Sequence, residues 1–367
     1  MELGVLADDL TGAADVVAPF ASRFRTGVGI GLNSVYSGGL WDVWAWNTET
    51  RGVDNKTLVQ DRIRQATDKL LHLEPKLLYK KIDSTLRGNL EWELRAMCTC
   101  VPKRIPLVCP AFPAMGRTVR EGKLYVHGTC WTDTEFAPAT GCGTVADAFG
   151  GTFSNAVFAD AESEEELLAL AQRVLKNPKR WLVVGSSGLS RAIARSFEIE
   201  RNASITSFSG RILVVVGSQH PRSREQADHY CQTREVPRFW VDDTTNRSEI
   251  VSQIRDLWGK GATEIVLETS NEHLSISPND ALRRILAPLF HEACSFEVIF
   301  ATGGDTAIQI AEVLGATYLR VLGEKEPGVV VSLLKYSSSH SLTLITKAGG
   351  FGNRETIAHC FQSEVSE

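Results

Sequence analysis

Lys80-Lys81-Ile82-Asp83-Ser84-Thr85-Leu86-Arg87-Gly88-Asn89 is the densest polar cluster in the chain, and its residue types are those that hold a small anion carrying hydroxyl groups. A guanidinium fork at Arg87 matches a carboxylate, Lys81 adds charge, and Asp83 or Ser84 can bond hydroxyls. The competing structural reading pairs Asp83 with Arg87 internally and leaves Lys80 or Lys81 in solvent. Asp8 and Asp9, adjacent carboxylates before Thr11-Gly12, project in different directions, so at most one is a simple helix cap and the other can bind a hydroxyl or accept its proton. Pro110-Ala111-Phe112-Pro113, followed by Gly116-Arg117-Thr118 and Gly122, reads as a long irregular loop of the kind that often carries function, with Arg117 as a further anion ligand.

A second chemistry lies toward the C-terminus. Thr302-Gly303-Gly304-Asp305-Thr306 separates an apolar run from an amphipathic segment; its glycines let backbone approach a ligand while helix-start N–H groups favour negative charge. The plainer alternative is a tight turn with Asp305 or Thr306 as N-cap. Lys347-Ala348-Gly349-Gly350-Phe351-Gly352-Asn353 repeats the pattern with a lysine for a triphosphate, and Gly217-Ser218 ends another apolar run. Three such loops in one half of the chain point to a nucleotide site, although neither a G-x-x-x-x-G-K-[ST] loop nor a G-x-G-x-x-G fingerprint occurs. Gly185-Ser186-Ser187-Gly188 reads as an ordinary strand-to-helix turn. His127 and His220 read as structural histidines.

These residues must be positioned by βα units. Short aliphatic runs ending in Gly, Ser or Asp turns, each followed by an amphipathic stretch, recur along the sequence and predict parallel sheets. Asn89 reads as the N-cap of a helix over Leu90 to Met97, and Trp41, Trp44 and Trp46 as one face of a strand. With 367 residues the expectation is an α/β protein of two domains, each a mostly parallel sheet flanked by helices, with the active site in the interdomain cleft. The polar stretch near 198–210 is the predicted boundary, giving domains at 1–200 and 208–367.

Hydrophobic residues at 43% and charged residues at 23% describe an ordinary globular protein, and a net charge of −5 offers no surplus for nucleic acid or an anionic membrane. No segment approaches the ~20 apolar residues of a membrane span, and Asp8 and Asp9 interrupt any signal-peptide core. Eight cysteines without a C-x-x-C pair suggest buried thiols in a reducing cytoplasm and neither disulfide scaffold nor zinc site.

In order, the segments LADDLTGAAD, KKIDSTLRGN, PAFPAMGRT, GSSGLS, ATGGDTA and KAGGFG resemble the four-carbon acid sugar kinases, from Leu6 to Gly352. The resemblance implies an N-terminal sugar-acid domain, a C-terminal nucleotide domain, and transfer from ATP to the terminal hydroxyl of threonate, erythronate or 3-oxo-tetronate. It carries Ser218, Gly303, Gly304, Asp305, Thr306 and Gly349 over as ATP-binding positions, beside which Lys347 and Gly350 stand on their loop chemistry. Where the family often reads Gly-Ser-Cys-Ser, this chain has Gly217-Ser218-Gln219-His220. Phosphoryl transfer further calls for Mg²⁺ on the phosphates with Asp305 nearby, and for an acceptor-side carboxylate among Asp8, Asp9 and Asp83, with Asp9 preferred. Partners are then a sugar acid and ATP, with room for a homodimer. Two other readings stand beside the kinase: a non-catalytic binding regulator on the same fold, and a nicotinamide-dependent dehydrogenase, which the missing fingerprint disfavours.

Overall fold

A computed structural model describes residues 1–32, 34, 41–138, 143–151, 153, 155–197, 208–270, 277–291, 296–336 and 341–362. Contacts divide the chain into two compact units, Met1–Arg201 and Asn202–Glu367. Of the stretch 198–210, residues 198–207 lie outside the described residues.

The first unit runs β1 (Leu3–Ala7), α1 (Leu10–Val17), β2 (Thr26–Gly29), β3 (Val43–Asn47), α2 (Lys56–Leu71), β4 (Leu77–Lys81), α3 (Leu90–Cys100), β5 (Ile105–Cys109), β6 (Arg117–Arg120), β7 (Lys123–Val126), β8 (Thr129–Cys130), α4 (Val145–Ala148), β9 (Val157–Phe158), α5 (Glu164–Leu175), β10 (Trp181–Gly185) and α6 (Ser187–Arg195). Its main sheet has the order β2-β3-β1-β4-β10-β5-β9 with parallel pairing throughout. Strands covered by helices on both faces read as unbroken apolar runs, and every residue of β1, β4 and β10 is buried. Succession leaves β1 toward β2 and β3 on one side and toward β4 on the other. The crevice at such a reversal, outside the carboxyl ends of the strands, is where open α/β sheets take ligands.

Three readings of this unit are corrected. The segment after β5 is not irregular: β6, β7 and β8 form a small antiparallel sheet. Its two-residue turns, Glu121-Gly122 and His127-Gly128, all have positive φ, as hairpins that follow strand twist require. Asn89 occupies the N-cap position of α3 without a capping bond, because its amide donates instead to the Thr50 and Val53 carbonyls at 2.7 and 2.9 Å. Trp41 precedes β3 rather than belonging to it, yet its ring lies 5.4 Å from that of Trp44, which lies 5.8 Å from Trp46.

The second unit runs β11 (Ile212–Val216), α7 (Pro221–Arg234), β12 (Arg238–Val241), α8 (Arg247–Gly259), β13 (Glu264–Thr269), α9 (Pro278–His291), β14 (Val298–Thr302), α10 (Gly304–Val313), β15 (Tyr318–Glu326), β16 (Val329–Lys335), β17 (Ser341–Lys347) and α11 (Thr356–Cys360). Strand order is β12-β13-β11-β14-β17-β16-β15, parallel as far as β17 and antiparallel in the last three. The order of succession, not strand direction, reverses between β11 and β14, so the turns after these parallel strands, and after neighbouring β17, open at one edge. No helix among the described residues is long and apolar enough to cross a membrane.

Candidate active site

At the switch point of the first unit, β1 pairs Ala7 with Asn47 on one side and with Lys81 on the other. The register therefore sets Asp8 and Asp9, the turn after β3, and the turn after β4 side by side. Arg51 occupies the centre. Its Nε and Nη2 donate to the two oxygens of Asp8 at 2.8 and 2.9 Å, and its Nη1 and Nη2 to those of Asp9 at 2.7 and 3.0 Å; Nη1 also lies 3.9 Å from Asp83. Sequence reasoning missed this residue. The signal available was a polar Thr-Glu-Thr-Arg turn closing the tryptophan strand, but only strand order shows that it faces Asp8.

The carboxylates have distinct surroundings. Burial would raise Asp8, yet Arg51, with Lys80 and Lys81 behind it, holds its carboxyl below the ordinary value. Asp83 is pulled far below its ordinary value against the same burial, by Arg51 and by Arg87, whose Nη2 and Nε donate at 2.7 and 3.2 Å. Thr85 closes the remaining positions on Asp83 through its backbone N–H at 2.9 Å and its hydroxyl. Asp9 caps α1, accepting from the Gly12 N–H at 3.0 Å and the Thr11 hydroxyl at 2.9 Å, and its side chain is 18% exposed against 2% for Asp8. A Cβ at Gly12 would sit 2.3 Å from Asp9 Oδ1 and 3.1 Å from Lys81 Nζ, so glycine is what lets ammonium and carboxylate flank one point.

Both lysines of the cluster are buried, contrary to the solvent reading. Lys80 pairs with Glu93 at 2.7 Å, each side chain 1% exposed, and burial keeps Glu93 above its ordinary value despite that partner. Lys81 donates to the Ile82 carbonyl at 2.9 Å and pairs with no carboxylate among the described residues. Ser84, in the same turn, is a buried residue. Arg87 is tied to Asp83 and stacks over Phe136, with its side chain 56% exposed. Ser186 and Ser187 are consumed structurally, the first capping α6 and bonding the Ala111 carbonyl, the second bonding Asp15.

In the second unit the three glycine loops meet. Gly303 precedes α10 at φ +97 and ψ 145, a conformation essentially reserved for glycine, and it, rather than Asp305 or Thr306, occupies the N-cap position. Its N–H donates to the Lys347 carbonyl at 2.8 Å, and a Cβ there would lie 3.5 Å from Ser218. A Cβ on Gly217 would fall 2.3 Å from Thr306 Oγ1, one on Gly349 2.1 Å from Ser218 Oγ, and one on Gly350 3.1 Å from His220 Nε2. Ser223 ties the first and third loops by donating to the Gly349 carbonyl at 2.9 Å. The N-terminus of α10 and the bare backbone of three turns thus come together at one place, a setting that suits a polyphosphate. Asp305 stands exposed in the first turn of α10. Among the described residues no three His, Cys, Asp or Glu side chains gather about a common point, so a metal ion here would lean on phosphate oxygens.

Two residues of these loops have local roles. His220 caps α7, its Nδ1 accepting from the Arg222 N–H at 3.1 Å, while Gln219 bonds Thr269 Oγ1 at 3.0 Å, so the unusual Gln-His pair braces its own loop. Lys347 is fully buried and spends its three donors on the carbonyls of Ala348, Gly349 and Phe351 at 3.0, 3.0 and 3.2 Å. It shapes the third loop. Burial pushes its ammonium down to about 7, with Glu326 opposing. Below pH 7 folded and unfolded states are both protonated. Above it the unfolded chain keeps a proton the folded one has released, so this group adds stability as pH rises from 7 toward 10.5. The wild type should therefore gain on a Lys347→Met variant by up to about 1.4 kcal/mol per pH unit between pH 7.5 and 9 in urea titrations. A pH-independent difference would mean that Lys347 stays charged throughout.

The chain matches the family models for a sugar-binding N-terminal domain, over residues 3–145, and a nucleotide-binding C-terminal domain, over residues 213–357. A D-threonate kinase of Bordetella bronchiseptica is 28% identical, with 98% of this chain and 97% of that protein covered. A D-erythronate kinase of Heliobacterium modesticaldum is 24% identical, with coverage of 97% and 95%. A crystal structure from Salmonella typhimurium superposes with a TM-score of 0.78 at 19% identity, covering 98% of this chain and all of that one, a likeness that speaks to fold alone.

Proposed function

We propose, from the premise that the chain belongs to the four-carbon acid sugar kinase family, that it transfers the γ-phosphoryl group of ATP to the terminal hydroxyl of a four-carbon sugar acid of the threonate, erythronate or 3-oxo-tetronate type. The observation that carries the reading is the close approach of Ser218, Gly303, Thr306 and Gly349, from three separate turns whose backbones lie so near one another that a Cβ at Gly217 or Gly349 would collide with the neighbouring turn.

Phosphoryl transfer asks a protein for positioning and charge compensation more than for covalent chemistry. Ser218, Gly303, Gly304, Thr306, Gly349 and Gly350 form the cradle, with N–H groups at the start of α10 directed at phosphate. Asp305 would stand beside a Mg²⁺ ion brought in with the nucleotide, which would supply charge neutralisation to the phosphates. Lys347 holds the third loop in shape. On the acceptor side Asp9 is the carboxylate that faces the hydroxyl, being the most exposed of the three, with Lys81 flanking the same point. All three carboxylates hold arginine or cap groups, Asp9 included, and exposure alone separates them: the more deeply buried Asp8 and Asp83 fix Arg51 and Arg87. Ser84, in the turn after β4 beside Asp83, takes a hydroxyl of the acid.

An ADP-release screen over both enantiomers of threonate and erythronate and over 3-oxo-tetronates, with product mass determined, tests the proposal. ADP formation matched to a monophosphorylated acid is the expected result. Calorimetric binding of an acid and ATP without turnover would make the protein a binding regulator instead.

A further inference from the structure

Three arginines follow the carboxyl ends of neighbouring strands of the first unit, Arg51 after β3, Arg87 after β4 and Arg117 after β5, and two are matched by carboxylates. Arg51 is forked by Asp8 and Asp9, and Arg87 is paired with Asp83. The third, Arg117, has no ion pair among the described residues. Its Nη1 donates to the Met115 carbonyl, while its Nε is buried without a hydrogen-bond partner. The parallel order β4-β10-β5 puts the turn that carries Arg117 at the same sheet edge as the turn that carries Asp83 and Arg87; burial lowers its guanidinium from the ordinary value, the Asp83 carboxylate opposing and Arg87 adding. A half-buried cation that lacks both its counter-charge and one hydrogen-bond partner is a group awaiting an anion.

Its backbone is fixed beforehand. Arg117 exchanges two bonds with Phe112, donating at 3.1 Å and accepting at 2.7 Å, and pairs with Val126 across β6 and β7. Preceding Gly116 sits at φ +71 with the His127 ring 2.3 Å from where a Cβ would stand, so the residue before Arg117 has no room to move. The guanidinium therefore emerges from a rigid hairpin rather than a loose loop, and less freedom is lost when it closes on a ligand.

We infer that Arg117 is the carboxylate anchor of the acceptor site, the residue that makes the enzyme choose an acid over the neutral polyol of the same length, while Arg87 remains the partner of Asp83. The inference rests on the sugar-acid kinase reading and adds to it the group that reads the acid. A planar fork meets a carboxylate at two points, which an already paired Arg87 does less well.

The test compares wild type, Arg117→Gln and Arg117→Lys as full chains. It uses the acid that turns over best and its carboxamide analogue, with kcat/KM and calorimetric Kd for each, KM for ATP, and melting temperature. Arg117→Gln should lower kcat/KM for the acid by about 10- to 150-fold, the range of a lost charge-assisted pair, leave the amide within about threefold, and leave the ATP KM unchanged. Arg117→Lys should recover part of the loss. Equal losses toward acid and amide, or a retained preference for the acid, would overturn the inference while leaving the kinase intact. Should Arg117→Gln fail to fold, Arg117→Lys decides by the same acid-to-amide ratio. A wild type that turns over no four-carbon acid defeats the functional reading itself, and the inference with it.

Discussion

Replacing Arg51 with methionine is expected to destabilise the first unit by about 3–5 kcal/mol and to abolish turnover, because it strands buried carboxylates that one guanidinium now holds. Asp8 would keep its 2% exposure and lose both of its short charged bonds, and Asp9 and Asp83 would lose a shared cation. Lys80 and Lys81 would compensate Asp8 only in part, since neither is bonded to it. The pH dependence has a definite sign. Asp8 and Asp83 titrate below the usual 3.8 in the folded wild type, so their contribution is present at neutral pH and is lost as pH falls through the acid range. Without Arg51 the burial that opposes this shift acts with less opposition, and the variant suffers most where the carboxylates must be charged. The difference between wild type and variant in urea titrations should accordingly be large at pH 7.5 and shrink by pH 4. A difference that does not change with pH would mean that Arg51 contributes packing alone. Arg51→Lys should rescue little, because a point charge cannot span two carboxylates.

Arg51 also marks the limit of what the sequence discloses. Parallel strands buried on both faces leave continuous apolar runs, so β1, β4, β10, β11, β14 and β17 could be read directly, and with them the polar turns that follow. Which turns meet is a matter of strand order, which local pattern does not encode. Arg51 reaches Asp8 because β3 pairs beside β1, and the three glycine loops meet because β11, β14 and β17 are neighbours. The small sheet at β6 to β8 was legible in principle: Arg117–Arg120 and Lys123–Val126 are four-residue strands separated by Glu-Gly, and the next turn is His-Gly. The surrounding Pro and Gly residues masked that alternation. Lys347 shows the opposite failure. A lysine beside three glycines suggests a phosphate ligand, but the carbonyls that the glycines expose are themselves acceptors, and the ammonium turns inward to them.

Gly349→Ala is expected to weaken ATP binding at least 100-fold, roughly 2.7 kcal/mol, while acid binding in the first unit is unaffected. The added methyl carbon would lie 2.1 Å from Ser218 Oγ, 3.2 Å from Ser218 Cβ and 3.3 Å from His220 Cβ, so the clash falls on Ser218 first and presses on the root of the His220 side chain. The loop cannot swing aside, since the Gly349 carbonyl is held by Ser223 Oγ at 2.9 Å and by Lys347 Nζ at 3.0 Å. Either Ser218 moves or the turns part, and both outcomes remove the hydroxyl and N–H groups from phosphate. The double variant Ser218→Gly/Gly349→Ala separates these effects, because it deletes the two atoms nearest the new methyl and leaves only the looser contact with His220 Cβ. If the loss is steric, the double variant binds ATP as Ser218→Gly alone does, weaker than wild type by the hydroxyl's own share. If Gly349 contributes through backbone freedom instead, Ser218→Gly gives no relief. Unchanged ATP affinity in a folded Gly349→Ala protein would remove the third loop from the nucleotide site and leave the cradle to the turns after β11 and β14.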